Sequence, residues 1–143
     1  MVHALEEAWR VLRPESYAID LRPTSRHSHL GFIQRGRFVS VAATEENLED
    51  YRAAGAALAH AKEMGLFSQC YESRFFITIT FSSLQDLREW LYDLDESAPT
   101  SSSDRLVERV EKTVRRKKRE VKIAAVVPFI QRVLVKRFSQ SGE

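Results

Sequence analysis

Residues Glu6 to Pro23 read EEAWRVLRPESYAIDLRP, and the fold turns on this stretch. Leu5, Trp9 and Leu12 recur at three- and four-residue steps, with Val2 one step earlier, so the segment opens as a short amphipathic helix. Pro14 stops that helix, because its ring removes a donor and clashes with the preceding turn. Ser16 to Asp20 is then too short and too apolar for a second helix. Its Tyr17-Ala18-Ile19 run suits a strand buried on both faces, closed by Asp20 and Arg22.

Downstream, Pro23 to Leu30 is polar loop, and Leu30 to Gln34 with Arg37 to Ala43 predicts a hairpin around Arg35-Gly36. Thr44 followed by Glu45 and Glu46 predicts a helix start, and Leu48 to Ala61 carries its apolar stripe. From Leu66 the period becomes two, with Phe75, Ile77, Ile79 and Phe81 on one face of a long strand. These four are expected to share a single core with Leu58, Leu87, Leu91 and the first helix. Ser82-Ser83-Leu84-Gln85 predicts a capped helix. A Ser-rich linker near 97–103 precedes another helix with a basic C-terminal end, and Val121 to Val127 and Phe129 to Phe138 read as two closing strands around Pro128.

These 143 residues suit a single domain, 1–143, able to bury a core. With 43% hydrophobic and 29% charged residues, the chain matches neither a disordered segment nor a membrane span, and no signal-peptide pattern is present. A cytoplasmic location is expected. Cys70 is the sole cysteine, which excludes an internal disulfide. The net charge of +2 does not by itself point to a polyanionic partner.

The opening stretch also resembles the Rossmann-like S-adenosylmethionine-dependent methyltransferases, many of which carry a Glu-x-x-Arg-Val-Leu-Arg-Pro-Gly-Gly helix end before the fifth strand. Trp9 to Pro14 match it, and Glu15 and Ser16 stand where the glycine pair would be. GLFSQCYESRFFITITF and SSLQDLREWL fall where such enzymes place their last elements. The resemblance implies an α/β fold, a small mixed sheet with helices like the C-terminal half of such an enzyme. It also implies that the cofactor-binding half is missing, since five glycines form no Gly-x-Gly pattern. No cofactor, metal or catalytic residue is expected, so the chain alone should be inactive. A non-catalytic assembly module follows, with a split-enzyme subunit or a small ligand- or nucleic-acid-binding protein as the alternatives.

Among single residues, Asp20 and Arg22 are the candidate ligand or crevice pair, because parallel strands present their C-terminal ends to a crevice. His27 and His29 in RHSH could face one side of an extended segment, but no third metal ligand is nearby. His60 and Cys70 read as packing or surface residues. The run RRKKRE from Arg115 complements a negative helix end, and Trp9, Trp90 and Tyr92 do not interleave with it, so a nucleic-acid surface is not expected. Loss of the neighbouring strand would leave an apolar edge, which predicts a homodimer, or a partner chain, across Leu5, Trp9, Leu12, Tyr17 and Ile19. No membrane partner is expected.

Overall fold

The computed structural model describes residues 2–96, 99–117 and 120–137. The elements run α1 (Val2–Val11), β1 (Tyr17–Pro23), β2 (His29–Gln34), β3 (Arg37–Ala43), α2 (Glu49–Glu63), β4 (Phe67–Phe81), α3 (Leu84–Leu94), α4 (Thr100–Arg115) and β5 (Lys122–Lys136). Hydrogen-bonded strand neighbours follow the order β1-β5-β2-β3, and β4 also pairs with β5. β1 with β5, β2 with β3 and β2 with β5 are all antiparallel. β4 runs the same way against β5, with Cys70 bonded to the Val133 carbonyl and Phe75 stacked on Phe129.

This antiparallel sheet overturns the Rossmann-like expectation. A doubly wound sheet needs parallel strands joined by helical crossovers. Here β1 lies antiparallel to the last strand of the chain, and β2 follows β1 with no helix between them. Among the described residues the fold is therefore α+β, with four helices and a five-stranded antiparallel sheet, and not the half of a methyltransferase. β1 is also not the doubly buried strand expected: it alternates, leaving Tyr17, Ile19 and Leu21 exposed. An apolar run of three residues cannot by itself distinguish a central strand from an edge strand with one greasy face.

Two compact units divide the chain. The first comprises the described residues up to Ser25, Leu48–Phe75 and those from Phe129 onward; the second is Arg26–Asn47 with Phe76–Pro128. In the first, Leu58, Ala61, Phe67 and Leu134 form the buried centre, against which Leu5, Trp9, Leu12, Ala18 and Leu66 pack. In the second, Leu30, Ala42, Leu87, Leu91, Leu106, Val107, Val110 and Ala125 form another, joined by Phe81, Trp90 and Ile123. The single core expected around Phe75 to Phe81 is thus two cores. Phe81 packs with Leu87 and Leu91, whereas Leu58 and α1 belong to the first unit.

Local chemistry explains several boundaries. Arg35 and Gly36 have φ of 53° and 74°, the paired left-handed conformations of a two-residue hairpin turn. Ser83 caps α3 by accepting from the Asp86 amide at 3.0 Å, while Asp86 accepts from the Ser82 amide at 3.2 Å. Thr44 does not start α2. Its amide and hydroxyl donate to the Ser28 carbonyl at 2.9 and 3.2 Å, so Thr44 to Asn47 is loop and the helix begins at Glu49. The expected linker is likewise shortened, since Thr100 to Ser103 already form the first turn of α4; Ser97 and Ala98 lie outside the described residues. The two closing strands are one. Pro128 sits inside β5 between the segments that pair with β1 and with β2, where its missing N–H costs no bond to either of those strands. Phe138 lies outside the described residues.

Candidate functional site

In the first unit, β1, the C-terminal part of β5 and the N-terminal part of β4 present two unlike faces. Strand geometry puts alternate residues on opposite sides. Ala18, Asp20 and Arg22 of β1 therefore share a side with their neighbours Ile130, Arg132 and Leu134 of β5. Tyr17, Ile19 and Leu21 share the other with Gln131, Val133 and Val135.

The first side carries the helices and a chain of charges. Leu134 and Ala18 join the core made with α1 and α2. Beyond them, the Arg132 guanidinium donates to Asp20 Oδ2 and to Glu72 Oε2, both at 3.0 Å. Arg22 lies 3.4 Å from Asp20 Oδ1, and Arg74 lies 3.2 Å from Glu72 Oε1. Asp20 and Arg22 therefore do not line a crevice at the end of parallel strands; they close an ion network with side chains about one-fifth exposed. Every carboxylate in this network has a guanidinium partner, which makes it a positioning device for three strands.

The hydrogen bond from Arg132 holds the Glu72 carboxyl below its ordinary range against the opposing cost of desolvation, with Arg74 adding to the effect. A carboxyl lowered in the folded state contributes stability above its unfolded pKa, and that contribution disappears as pH falls through the folded value. Glu72→Gln should thus be less stable than the parent near neutrality, with the gap closing on acidification from about pH 6 to about pH 3. Urea midpoints measured across that range check it; a gap independent of pH would show that the charge of Glu72 is immaterial.

The second side is apolar and open. Tyr17 and Ile19 are each 66% exposed, Leu21 56% and Tyr71 52%. Between them stand half-buried Val133 and Val135 and the Phe75–Phe129 stack, whose ring centroids are 6.0 Å apart. Tyr71 belongs here because Glu72, its neighbour on β4, faces Arg132 on the opposite side. β1 pairs only with β5 among the described residues, so this face reaches the sheet edge.

Other residues of the expected interface turn inward. Leu5, Trp9 and Leu12 pack on Leu58, Ala61, Phe67 and Leu134. Lys136 covers the Trp9 ring with its ammonium 4.4 Å from the centroid, while donating to the Leu12 carbonyl at 2.7 Å. A pocket of about 340 Å³ beside Trp9 and His60 has polar groups from α1 at its rim. Those groups pair along their own helix, His3 with Glu6 and Arg10 with Glu7, so they do not converge as an acid and a base.

The histidines separate as well. His27 bonds the buried carboxylate of Glu46 through Nδ1 at 3.1 Å, and His29 meets the Ser40 hydroxyl at 3.2 Å. No group of three or more metal-ligating side chains occurs among the described residues. Cys70 is an exposed thiol bonded to the Val133 carbonyl at 3.4 Å. Trp90 packs on Phe81, and the Tyr92 hydroxyl donates to Asp104 at 3.1 Å, with desolvation and that bond both raising its pKa. Among the described residues, no helix is long and apolar enough to cross a membrane. No family model, curated protein or solved structure matches the chain, and the antiparallel sheet argues against a methyltransferase origin.

Proposed function

We propose that this chain is a homodimeric assembly module whose interface is the open face of the β1–β5–β4 sheet. The observation that carries the reading is the row Tyr17, Ile19 and Leu21 at 66%, 66% and 56% exposure, continued by Tyr71 at 52%. Contiguous apolar surface beyond a few hundred square ångströms marks an interaction site on a soluble protein. At these exposures four large side chains offer on the order of 100 Å² each. Val133, Val135, Phe75 and Phe129 extend the patch toward the ~800 Å² per partner of a standard interface.

A second copy is the occupant that suits it, because an exposed apolar sheet face can stack on a copy of itself. Two such faces stack about 10 Å apart as in a β-sandwich, and a two-fold axis buries both at once. With Trp9 packed against its own core, Ile19 stands at the centre of the interface. The exposed thiol of Cys70 fits a reducing, cytoplasmic setting.

Sedimentation equilibrium at micromolar concentration should detect a dimer. Ile19→Lys should raise its dissociation constant about 30-fold or more, the size of a hot-spot loss. Phe76→Lys removes an equally exposed aromatic from the second unit and should leave association unchanged. A monomeric parent, or an Ile19→Lys variant that associates like the parent, would sink the proposal.

A further inference from the structure

Residues 115–122 contain six basic side chains and one acid, Glu120. A negative helix end accounts for the presence of Arg115, Arg116 and Lys117 at the end of α4. It does not account for what the second unit gathers around them. Lys117 lies with its ammonium 5.2 Å above the ring of Phe32, which brings the helix end onto β2. Three residues beyond Phe32 is the hairpin tip, where Arg35 and Arg37 are exposed on either side of Gly36. Lys122 opens β5 opposite Ile33. Arg35 borders two surface hollows, one of about 470 Å³ with Gln34, Arg37 and Val39, the other of about 350 Å³ with Gly36, Glu120 and Lys122. Among the described residues Arg35, Arg37, Arg116 and Lys122 form no ion pair, whereas Lys112 and Arg115, further back on α4, pair with Glu108 and Glu111. Lys118 and Arg119 lie outside the described residues.

Arg35 carries an independent signal. It holds φ at 53° in the first central position of the turn, where Asn, Asp or Gly are unstrained and a long side chain is not. The turn would form better with Asn there, so the guanidinium stands where local backbone preference does not favour it. Strain of this kind gathers where a side chain has a task.

We infer that this basic end of the second unit, the Arg35–Arg37 hairpin tip with Arg116, Lys117 and Lys122, binds the phosphate backbone of a nucleic-acid duplex. Guanidinium forks match phosphate oxygens in pairs, and contacts to the backbone need no base-reading side chain. Among the described residues the one aromatic ring at this end that meets a cation, Phe32, is fully buried, so the bases of a single strand find no stacking platform in it. Nor does the tip present the broad apolar face with which an amphipathic element enters a bilayer, since Val39 is its one large exposed apolar side chain among the described residues.

Fluorescence anisotropy of a labelled duplex of about 20 base pairs, titrated with the intact protein over a salt series, tests this directly. About five phosphate contacts predict a log–log salt slope near −4.5. Arg35→Asn should weaken binding about fivefold and shrink the slope by about one contact. The same substitution should raise the thermal midpoint, because Asn-Gly relieves the turn, so lost binding cannot be blamed on lost folding. Three outcomes overturn the inference: no salt-dependent duplex binding, an Arg35→Asn variant that binds like the parent, or preference for phosphatidylserine vesicles or a single strand over the duplex. The site uses no residue of the dimer face, so Ile19→Lys should bind duplex through the same salt slope per chain.

Discussion

Gly31→Ala is expected to destabilise the protein by at least about 3 kcal/mol, more than a single added methyl group usually costs in a core. A Cβ on Gly31 would lie 1.9 Å from the Val39 carbonyl oxygen and 2.9 Å from its carbon, both backbone atoms that no rotamer change can move aside. The crowding has a local origin. Leu30 faces Ala42 but Gly31 faces Ser40, so Val41 is an extra residue in β3 and the strand bends toward β2. The displaced Val41 carbonyl accepts from Arg109 of α4 at 3.3 Å, which ties the bulge to the helix. Urea denaturation of Gly31→Ala measures the cost. A change within about 0.5 kcal/mol, the range of a neutral surface substitution, would mean that β3 does not approach β2 this closely.

In the first unit the largest expected loss is from Phe67→Ala, about 3–5 kcal/mol. Phe67 is 2% exposed and closes the core formed with Leu58, Ala61 and Leu134, so truncation leaves a void bounded by α2 and β5. Phe76, on the same strand and 68% exposed, serves as the contrast: Phe76→Ala should change stability by about 0.5 kcal/mol or less. Denaturation curves for both variants decide it, and equal losses would place the two rings in similar surroundings, contrary to the burial described.

What could be read from the sequence was local. The Arg35-Gly36 turn, the Ser83 cap and the alternation of β4 each depend on a few adjacent residues, and each lies where its chemistry put it. Thr44 misled because its hydroxyl and amide bond Ser28, 16 residues away, in place of a helix end. β5 read as two strands because Pro128 is a strand breaker unless it falls between partners, as it does here. Leu30 and Ala125 pack in one core and Leu134 in another, so its apolar run serves two units and gives no sign of where one ends.

The candidate surfaces were less legible still. Asp20 meets Arg132 across 112 residues, and no spacing in the sequence pairs them. The motif at Trp9 to Pro14 suggested a parallel sheet, from which Asp20 and Arg22 were expected at a crevice; antiparallel pairing with β5 put them in an ion network instead. Tyr17 and Ile19 were read as a strand edge, and their position on an open face follows only from the register of β1 on β5. The basic end was half visible, since RRKKRE lies in the sequence, but Arg35 and Arg37 join it only through the hairpin.

Isotope-filtered nuclear Overhauser spectroscopy on a mixed sample of labelled and unlabelled chains tests whether the β1–β5–β4 face is the dimer interface. Stacking of the β1–β5–β4 faces predicts intermolecular contacts from the methyl groups of Ile19 and Leu21 to those of Val133 and Val135, and to the rings of Tyr17 and Tyr71. Intermolecular contacts confined to other residues, or none at a concentration where the parent sediments as a dimer, would contradict it.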